Sequence, residues 1–437
     1  MDNEHSQDLA QVPIVTALLK GQYVLCQVDG DIKRITLDNL MNSINSGNEE
    51  LLREVAWGCP IKQSVQSSQN WGMVGNRDLY AQYKSMVGRY LVKNNGKAAK
   101  LSVSNSNVYA DGTPLDASIG HVMVKAPRLY LLYKVDAATN IGYLWGSFLP
   151  IGGFYIDLCV GAMLGSIVSG KLVSRPGLVP QTNKRIDEFF AAAQANGARF
   201  GLVDYDWAVW NVAMNLFEFG NPNIQANIGN GITGTNNSFD YLTPWSWPVG
   251  DTMALGDGCY KVDKAWTTSG GVAVTGACHI NFFGQEDPIC YWQMMQGVYC
   301  GNSGNAGQDG SEVFIYKGNR LPTSAELATH PAGEFRQITR LTTEGFIKEM
   351  ILGPKFDIFA SVLGGGAGGG SYWGDYQYHN ATCQLVLLGG SAYYGSSCGL
   401  GFVSSTYAWS YASAHIGSRL AYYGEIDVVD GKDIAAA

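Results

Sequence analysis

The chain has 437 residues with 46% hydrophobic and 15% charged side chains, so it can bury a large core and exceeds the usual size of one domain. Its formal charge of −8 argues against nucleic acid as a partner, which would need clustered Lys and Arg. The 55 glycines, 24 tyrosines and 11 tryptophans point to a loop-rich, β-rich chain, and the nine scattered cysteines to buried free thiols made in a reducing cytosol.

Residues 1–12 show neither a basic n-region nor an apolar h-region, so no secretory signal is expected. Residues 23–44, YVLCQVDGDIKRITLDNLMNSI, read as two short strands around the hairpin signal Asp29-Gly30-Asp31. Asp38 then stands as the N-cap of a short helix carrying Leu40, Met41 and Ile44. This first unit, 1–60, is expected to end near Cys59-Pro60. A second small β-rich domain follows over 61–120, polar and strand-like, with turn signals at Asn94-Asn95-Gly96 and Asp111-Gly112. Neither piece can bury much core alone, so both are expected to depend on oligomer contacts.

Residues 121–437 read as one large irregular domain. Its most apolar region, 143–170, is broken by Pro150, Asp157 and repeated Gly, which predicts buried strands rather than a membrane span. A helix near 184–196 places Ile186, Phe189, Phe190 and Ala193 on one face and ends at Gly197. A second, near 205–219, puts Trp207, Trp210, Met214 and Phe217 at helical spacing, a core stripe. Asp204 and Asp206 fit as its caps better than as an acid/base pair. Residues 220–310 have the Gly- and Asn-rich composition of long loops, and GGGAGGG at 364–370 that of a turn or linker.

Catalytic signals are weak. No Gly-Lys-Ser/Thr follows the glycine run, so it makes a poor phosphate cradle. Gly395-Ser-Ser-Cys-Gly399 matches G-x-S-x-G in letters, yet strand and loop follow it where a helix is required. Cys278-His279 is an isolated pair, without the spacing of a metal site. The expectation is a protein with no catalytic chemistry, metal or cofactor.

Residues 371–424 differ from the rest. They hold nine tyrosines, no Lys, no Glu, one Arg (Arg419) and one Asp (Asp375), on a background of Ser and Gly. That mixture suits a binding surface, because Tyr gives rigid amphipathic area and Ser, Gly and Asp give adaptable hydrogen bonding. Trp373, Trp409 and Tyr422 are expected to pack inward.

The ending AWSYASAHIGSRLAYYG resembles the C-terminus of the variable proteins of diversity-generating retroelements, where a run similar to NANANIGSRL closes a C-type-lectin fold. In that family template adenines are mutated, so Asn codons become NNY codons, which encode Tyr, Ser, His, Asp, Phe and Thr but never Lys or Glu. The resemblance implies that Tyr411, Ser413 and His415 stand at diversified positions. Tyr372, Asp375, Tyr376, Tyr378, Tyr393, Tyr394, Ser404 and Tyr407 are further ligand-binding candidates. Trp373, Gln377, Gln384 and Trp409 would be invariant. Ile416, Gly417, Ser418, Arg419 and Leu420 would be fixed frame, with Arg419 a buried structural hydrogen-bonder.

The implied fold is α+β: a C-type-lectin-like C-terminal domain with two helices and irregular sheet, after small β-rich attachment units. Residues 23–41 and 120–135 are similar to phage tail-fibre segments. The implied role is a receptor-binding protein at a tail-fibre tip. It would be made in the host cytoplasm, carried in the virion and joined to tail or baseplate proteins through its N-terminus. As a homotrimer, without membrane insertion, it would bind a bacterial surface protein or glycan. Two alternatives share the fold: a host cell-surface adhesin, and an oxidase of the formylglycine-generating type. RLPTSAELA at 320–328 resembles a motif of the latter, but Cys383 and Cys398 lack the surroundings of its copper-binding pair.

Overall fold

The computed structural model describes residues 23–28, 31–45, 47–62, 70–233, 247–267, 271, 273–290, 292–301, 311–316, 318, 320–331, 333–366, 373–380 and 384–436. Within them the fold is α+β, with strands gathered mainly into three sheets. A five-stranded antiparallel sheet runs in the order Phe154–Ile156, Leu129–Val135, Gly142–Ser147, Trp57–Ile61, Val74–Gly75. A seven-stranded sheet runs Phe200–Leu202, Leu420–Tyr422, Cys159–Gly161, His121–Lys125, Gly88–Val92, Lys97–Lys100, Asp427–Val428. The largest sheet has nine strands. It runs from Phe335–Arg340 through Glu312–Tyr316, Trp292–Cys300, Leu385–Leu388, Val403–Tyr407, Tyr376–His379 and Gly345–Leu352 to Asp357–Leu363, with Ile416–Gly417 attached in parallel to Trp292–Cys300.

The N-terminal hairpin of Tyr23–Val28 and Asp31–Thr36 leads into helix α1, Leu37–Asn45, and then α2, Glu49–Val55. The hairpin turn at 29–30 lies outside the described residues. Thr36 rather than Asp38 satisfies the helix start, its Oγ1 accepting from Asn39 N at 3.2 Å; Asp38 is two positions too late and falls in the first turn. Leu40 and Ile44 are buried with Leu51, Leu52 and Val55 of α2, and all five pack on Trp145, Leu149 and Ile151.

That packing corrects the expected boundaries at 60 and 120. Trp57–Ile61 pairs residue by residue with Gly142–Ser147, and Gly88–Val92 with His121–Lys125. A cut at either place would strand a row of buried backbone donors and acceptors, which proteins rarely leave unpaired. The apolar surface that residues 61–120 need is supplied by the rest of the same chain. Helix α3, Arg77–Met86, buries Leu79, Tyr80 and Tyr83 in the same core as Trp210 and Phe217.

Helix α4, Ile186–Gln194, buries Ile186, Phe189, Ala192 and Ala193, with Phe190 half-buried. Helix α5 spans Tyr205–Phe219; Asp204 caps it by accepting from Trp207 N at 3.2 Å, and Gly220 ends it at φ +59°. Trp207, Trp210, Met214 and Phe217 are all buried, each contributing about 1.5–3 kcal/mol by leaving water. The indole N–H groups of Trp207 and Trp210 donate to Gln285 Oε1 (2.6 Å) and Tyr83 OH (3.0 Å), so neither buried indole is left without an acceptor.

The expectation of long loops over 220–310 fails. Short helix α6, Ile224–Asn227, and the strands Tyr260–Asp263, Cys278–Phe282 and Trp292–Cys300 all lie there. Trp292–Cys300 is the strand on which the nine-stranded sheet is built, pairing with Glu312–Tyr316, Leu385–Leu388 and Ile416–Gly417. Composition averaged over the region hid the strands. Further on, α7 (Ser324–Thr329) starts with a capping box of Thr323 and Glu326.

The segment IGSRL passes from one large sheet to the other. Ile416–Gly417 joins the nine-stranded sheet, while Leu420–Tyr422 sits within the seven-stranded one between Phe200–Leu202 and Cys159–Gly161. At the passage Gly165 N donates to Ser418 O (2.8 Å) and Val203 N to Arg419 O (3.1 Å). Arg419 is fully buried and donates to the carbonyls of Gly161 (2.8 Å), Glu286 (2.6 Å) and Asp287 (3.0 Å), the structural role expected of it. No helix among the described residues is long and apolar enough to cross a membrane.

Candidate functional site

Three adjacent strands, Leu385–Leu388, Val403–Tyr407 and Tyr376–His379, bring most of the tyrosine-rich stretch to one region of surface. Side chains alternate along a strand, so Tyr376 and Tyr378 share a face. Gln377, between them, turns inward and donates to Thr343 O at 3.2 Å. A run of rings follows: Phe346 meets Tyr376 edge-on at 4.8 Å, Tyr376 meets Tyr378 at 4.3 Å, and Tyr378 meets Tyr394 at 5.0 Å. Tyr394 then contacts Phe402 (5.5 Å) and Tyr393 (5.4 Å).

A second group lies at the end of Val403–Tyr407. Tyr407 and Tyr411 stack at 4.1 Å with their planes 23° apart, and His415 is 6.5 Å beyond Tyr411. Ser413 Oγ and His415 Nδ1 are hydrogen-bonded at 2.7 Å, and Ser413 O accepts from Asn183 N at 3.0 Å, which ties this loop to the start of α4. Both ring groups rest on the same buried cluster of Leu385, Leu387, Phe402 and Ile416. Each ring pair adds about 0.5–1.5 kcal/mol beyond burial, so the surface is ordered before any ligand arrives.

Burial, then neighbouring hydroxyls, push Tyr378 up to about 12 and Tyr394 and Tyr407 higher still. Their hydroxyls therefore stay protonated and can both donate and accept. The two formally charged residues of the stretch, Asp375 and Arg419, are buried, at 2% and 0% exposure. The part of the surface supplied by 371–424 is thus aromatic and hydroxylic, with the exposed carboxylate of Glu344 beside Tyr376 and Tyr378.

The structure brings together Tyr376, Tyr378, Tyr393, Tyr394, Tyr407, Tyr411 and Ser413, all at half-buried or exposed positions. His415 is at the edge of burial, at 9% exposure. Tyr372 lies outside the described residues. Asp375 and Ser404 are corrections. Ser404 is fully buried beside Tyr378, its Oγ 3.0 Å from Thr406 Oγ1. Asp375 points into the core, where its Oδ2 accepts from Gly401 N at 2.8 Å. Phe346 and Phe402 were missed. Phe402 lies inside the stretch and is an NNY residue, a usable signal; Phe346 lies outside it, and nothing in the sequence links them. Trp373 and Tyr422 are buried as expected, while Trp409 is half-buried against Tyr299 at 5.8 Å.

Burial raises Asp375 to about 8, with the Gly401 hydrogen bond opposing. The folded state then holds a proton that the unfolded state releases near 4, so this residue costs stability as pH rises from about 4 to 8. Asp375→Asn should keep ligand binding and melt above the wild type at neutral pH. The gap should widen by at most about 1.4 kcal/mol per pH unit in that window. Loss of binding with an unchanged melting profile would instead make Asp375 a ligand contact.

A second cluster has the makings of a metal site, with His279, Glu286 and Asp287 all buried and their ligand atoms within 4.8 Å of one another. Its hydrogen bonds argue otherwise. Glu286 accepts from Gly250 N (2.7 Å), Thr252 N (2.8 Å) and Thr252 Oγ1 (2.7 Å); Asp287 accepts from Ile280 N (2.9 Å) and pairs with His279 Nδ1 (2.7 Å). Burial lowers His279, but Asp287, Glu286 and Asp251 outweigh it and lift the imidazole to about 9. With Arg89 bonded to Gly284 O, Thr252 and Asn281, the cluster is a buried polar centre beside Arg419, in which His279 Nε2 lies 3.5 Å from Asp251 Oδ2 and Arg419 Nε has no hydrogen-bond partner among the described residues.

Ser397 sits in a 3-10 turn rather than on a strand-to-helix elbow, which removes the G-x-S-x-G reading. Cys398 is buried and Cys383 lies outside the described residues. No protein-family model matches the sequence, and no match to a curated protein was found.

Proposed function

We propose that this chain is the receptor-binding protein of a phage tail-fibre tip, carrying a C-type-lectin-like fold whose tyrosine-rich surface is diversified by a retroelement. The observation that carries the reading is the division of labour within 371–424. Both formally charged residues are buried, IGSRL is locked between sheets, and the tyrosines form two pre-ordered ring groups resting on one buried cluster. A catalytic site would need converging acids, bases or nucleophiles, and this surface offers hydroxyls and ring faces instead. Modest affinity per copy, multiplied by avidity in a homotrimer, would suffice for host attachment.

The deciding experiment is to sequence the flanking DNA. The reading expects a near-copy of the 371–424 coding stretch, differing only at adenines, beside a reverse-transcriptase gene. An intact flanking region without either would remove the diversification. The adhesin alternative uses the same surface on a host cell and differs in what lies next to the gene. The oxidase alternative rests on the resemblance of RLPTSAELA at 320–328 alone.

A further inference from the structure

Cys290 and Cys398 are both buried, at 1% exposure each, and they meet where three loops converge. Cys290 N donates to Gly389 O (3.0 Å) and its thiol to Asn230 O (3.1 Å). Cys398 donates its thiol to Ser391 O (2.9 Å); Gly389, which accepts from Cys290, precedes Gly390, which packs on Cys398, so the two thiols lie side by side and interact electrostatically. The backbone is cleared around both sulfurs. Gly231 lies directly against Cys290 Sγ, and a Cβ on Gly390 would come within 2.7 Å of Cys398 Sγ. These glycines hold φ of +70° and +74°, a region that side chains disfavour, and Cys290 itself sits at φ +69°. Strain kept at a non-glycine residue needs a compensating reason, and close approach of two sulfurs supplies one.

We propose that Cys290 and Cys398 are a disulfide-competent pair that covalently fastens the loop bearing Tyr393 and Tyr394 to the core once the protein enters oxidising surroundings. The loop runs from Ser391 to Cys398 and is held at its far side by Gly395 N on Thr233 Oγ1 (2.7 Å) and Gln225 Nε2 on Gly395 O (3.0 Å). The chemistry is exchange with a low-molecular-weight disulfide. One cysteine thiolate attacks it, releasing one small thiol and leaving a mixed disulfide; the second cysteine displaces the other small thiol as the S–S bond closes. Two protons and two electrons leave the pair, and the oxidant is reduced to two thiols. Burial, then Cys398, holds the Cys290 thiol well above its ordinary range, so exchange waits on opening of the loop and is slow. Such a bond is a staple rather than a rapid sensor. Cys278 donates its backbone N–H to Gly231 O and is the third thiol nearby, so the proposal also names which two of the three join.

The test is to incubate the full chain with oxidised glutathione and map peptides under non-reducing conditions. The expected product is one cross-linked pair containing Cys290 and Cys398, two hydrogens lighter than its reduced parts. It should raise the melting temperature by several degrees, and reductant should reverse both changes. Cys398→Ala should abolish the cross-link and the shift. If that variant does not fold, the wild-type map alone decides. A bond from Cys278, glutathione adducts without a cross-link, or no product after refolding in a glutathione redox buffer would each overturn the assignment.

Discussion

Arg419→Ala is expected to leave little folded protein at 37 °C, and Arg419→Lys to rescue it only in part. The guanidinium is fully buried and reaches carbonyls on two separate segments, Gly161 on one side and Glu286 and Asp287 on the other. Alanine would leave three acceptors without a donor, open a cavity, and remove a positive charge facing Glu286 and Asp287. Uncompensated buried charge alone costs about 3–5 kcal/mol, and a marginally stable domain has about 5–15 kcal/mol in all. Lysine restores the charge without the planar fork that spans both segments. Urea denaturation followed by tryptophan fluorescence measures the loss, since Trp57, Trp207, Trp210 and Trp373 are buried. A fall of less than about 1 kcal/mol, the range of an ordinary surface change, would mean that IGSRL is not the clamp between the sheets.

The same residue shows what was legible in the sequence. IGSRL could be set apart as frame because its own letters carry the resemblance, and both helices could be placed because their apolar spacing is local. The partners of Arg419 could not be read. Gly161 and the adjacent Glu286 and Asp287 come from distant parts of the chain, and nothing local marks any of them as a partner; Cys278-His279 reads as an isolated pair because Arg89 and Asp251 beside its cluster lie elsewhere in the sequence. The strands of 220–310 were hidden because short runs between Gly and Asn turns have no period long enough to detect. Within the tyrosine-rich stretch, residue type identified the region but not the inward and outward positions. Asp375 and Ser404 have side chains typical of a binding loop, and pairing geometry alone turns them inside.

Replacing Tyr407 and Tyr411 together by alanine is expected to remove most ligand binding while leaving the fold standing. Their rings stack on each other at the rim of the surface, and both are half-buried rather than core residues. Truncated aromatic hot spots cost about 2 kcal/mol or more each, so if the two losses add, affinity should fall by roughly 1,000-fold. Because the Tyr407–Tyr411 stack carries no formal charge, its contribution to the wild-type interaction should change little as salt is raised from about 0.1 to 1 M, where exposed ion pairs would be screened. Phe402→Ala is the contrasting case: it lies beneath the rings, is fully buried, and should lose stability and binding together.

The most direct measurement is competition for host adsorption by the purified full chain. Wild-type protein should bind susceptible bacteria saturably and block phage attachment. The Tyr407→Ala/Tyr411→Ala variant, melting within a few degrees of wild type, should do neither at the same concentration. Equal blocking by the folded double variant would contradict the claim that this aromatic surface is where the receptor is held.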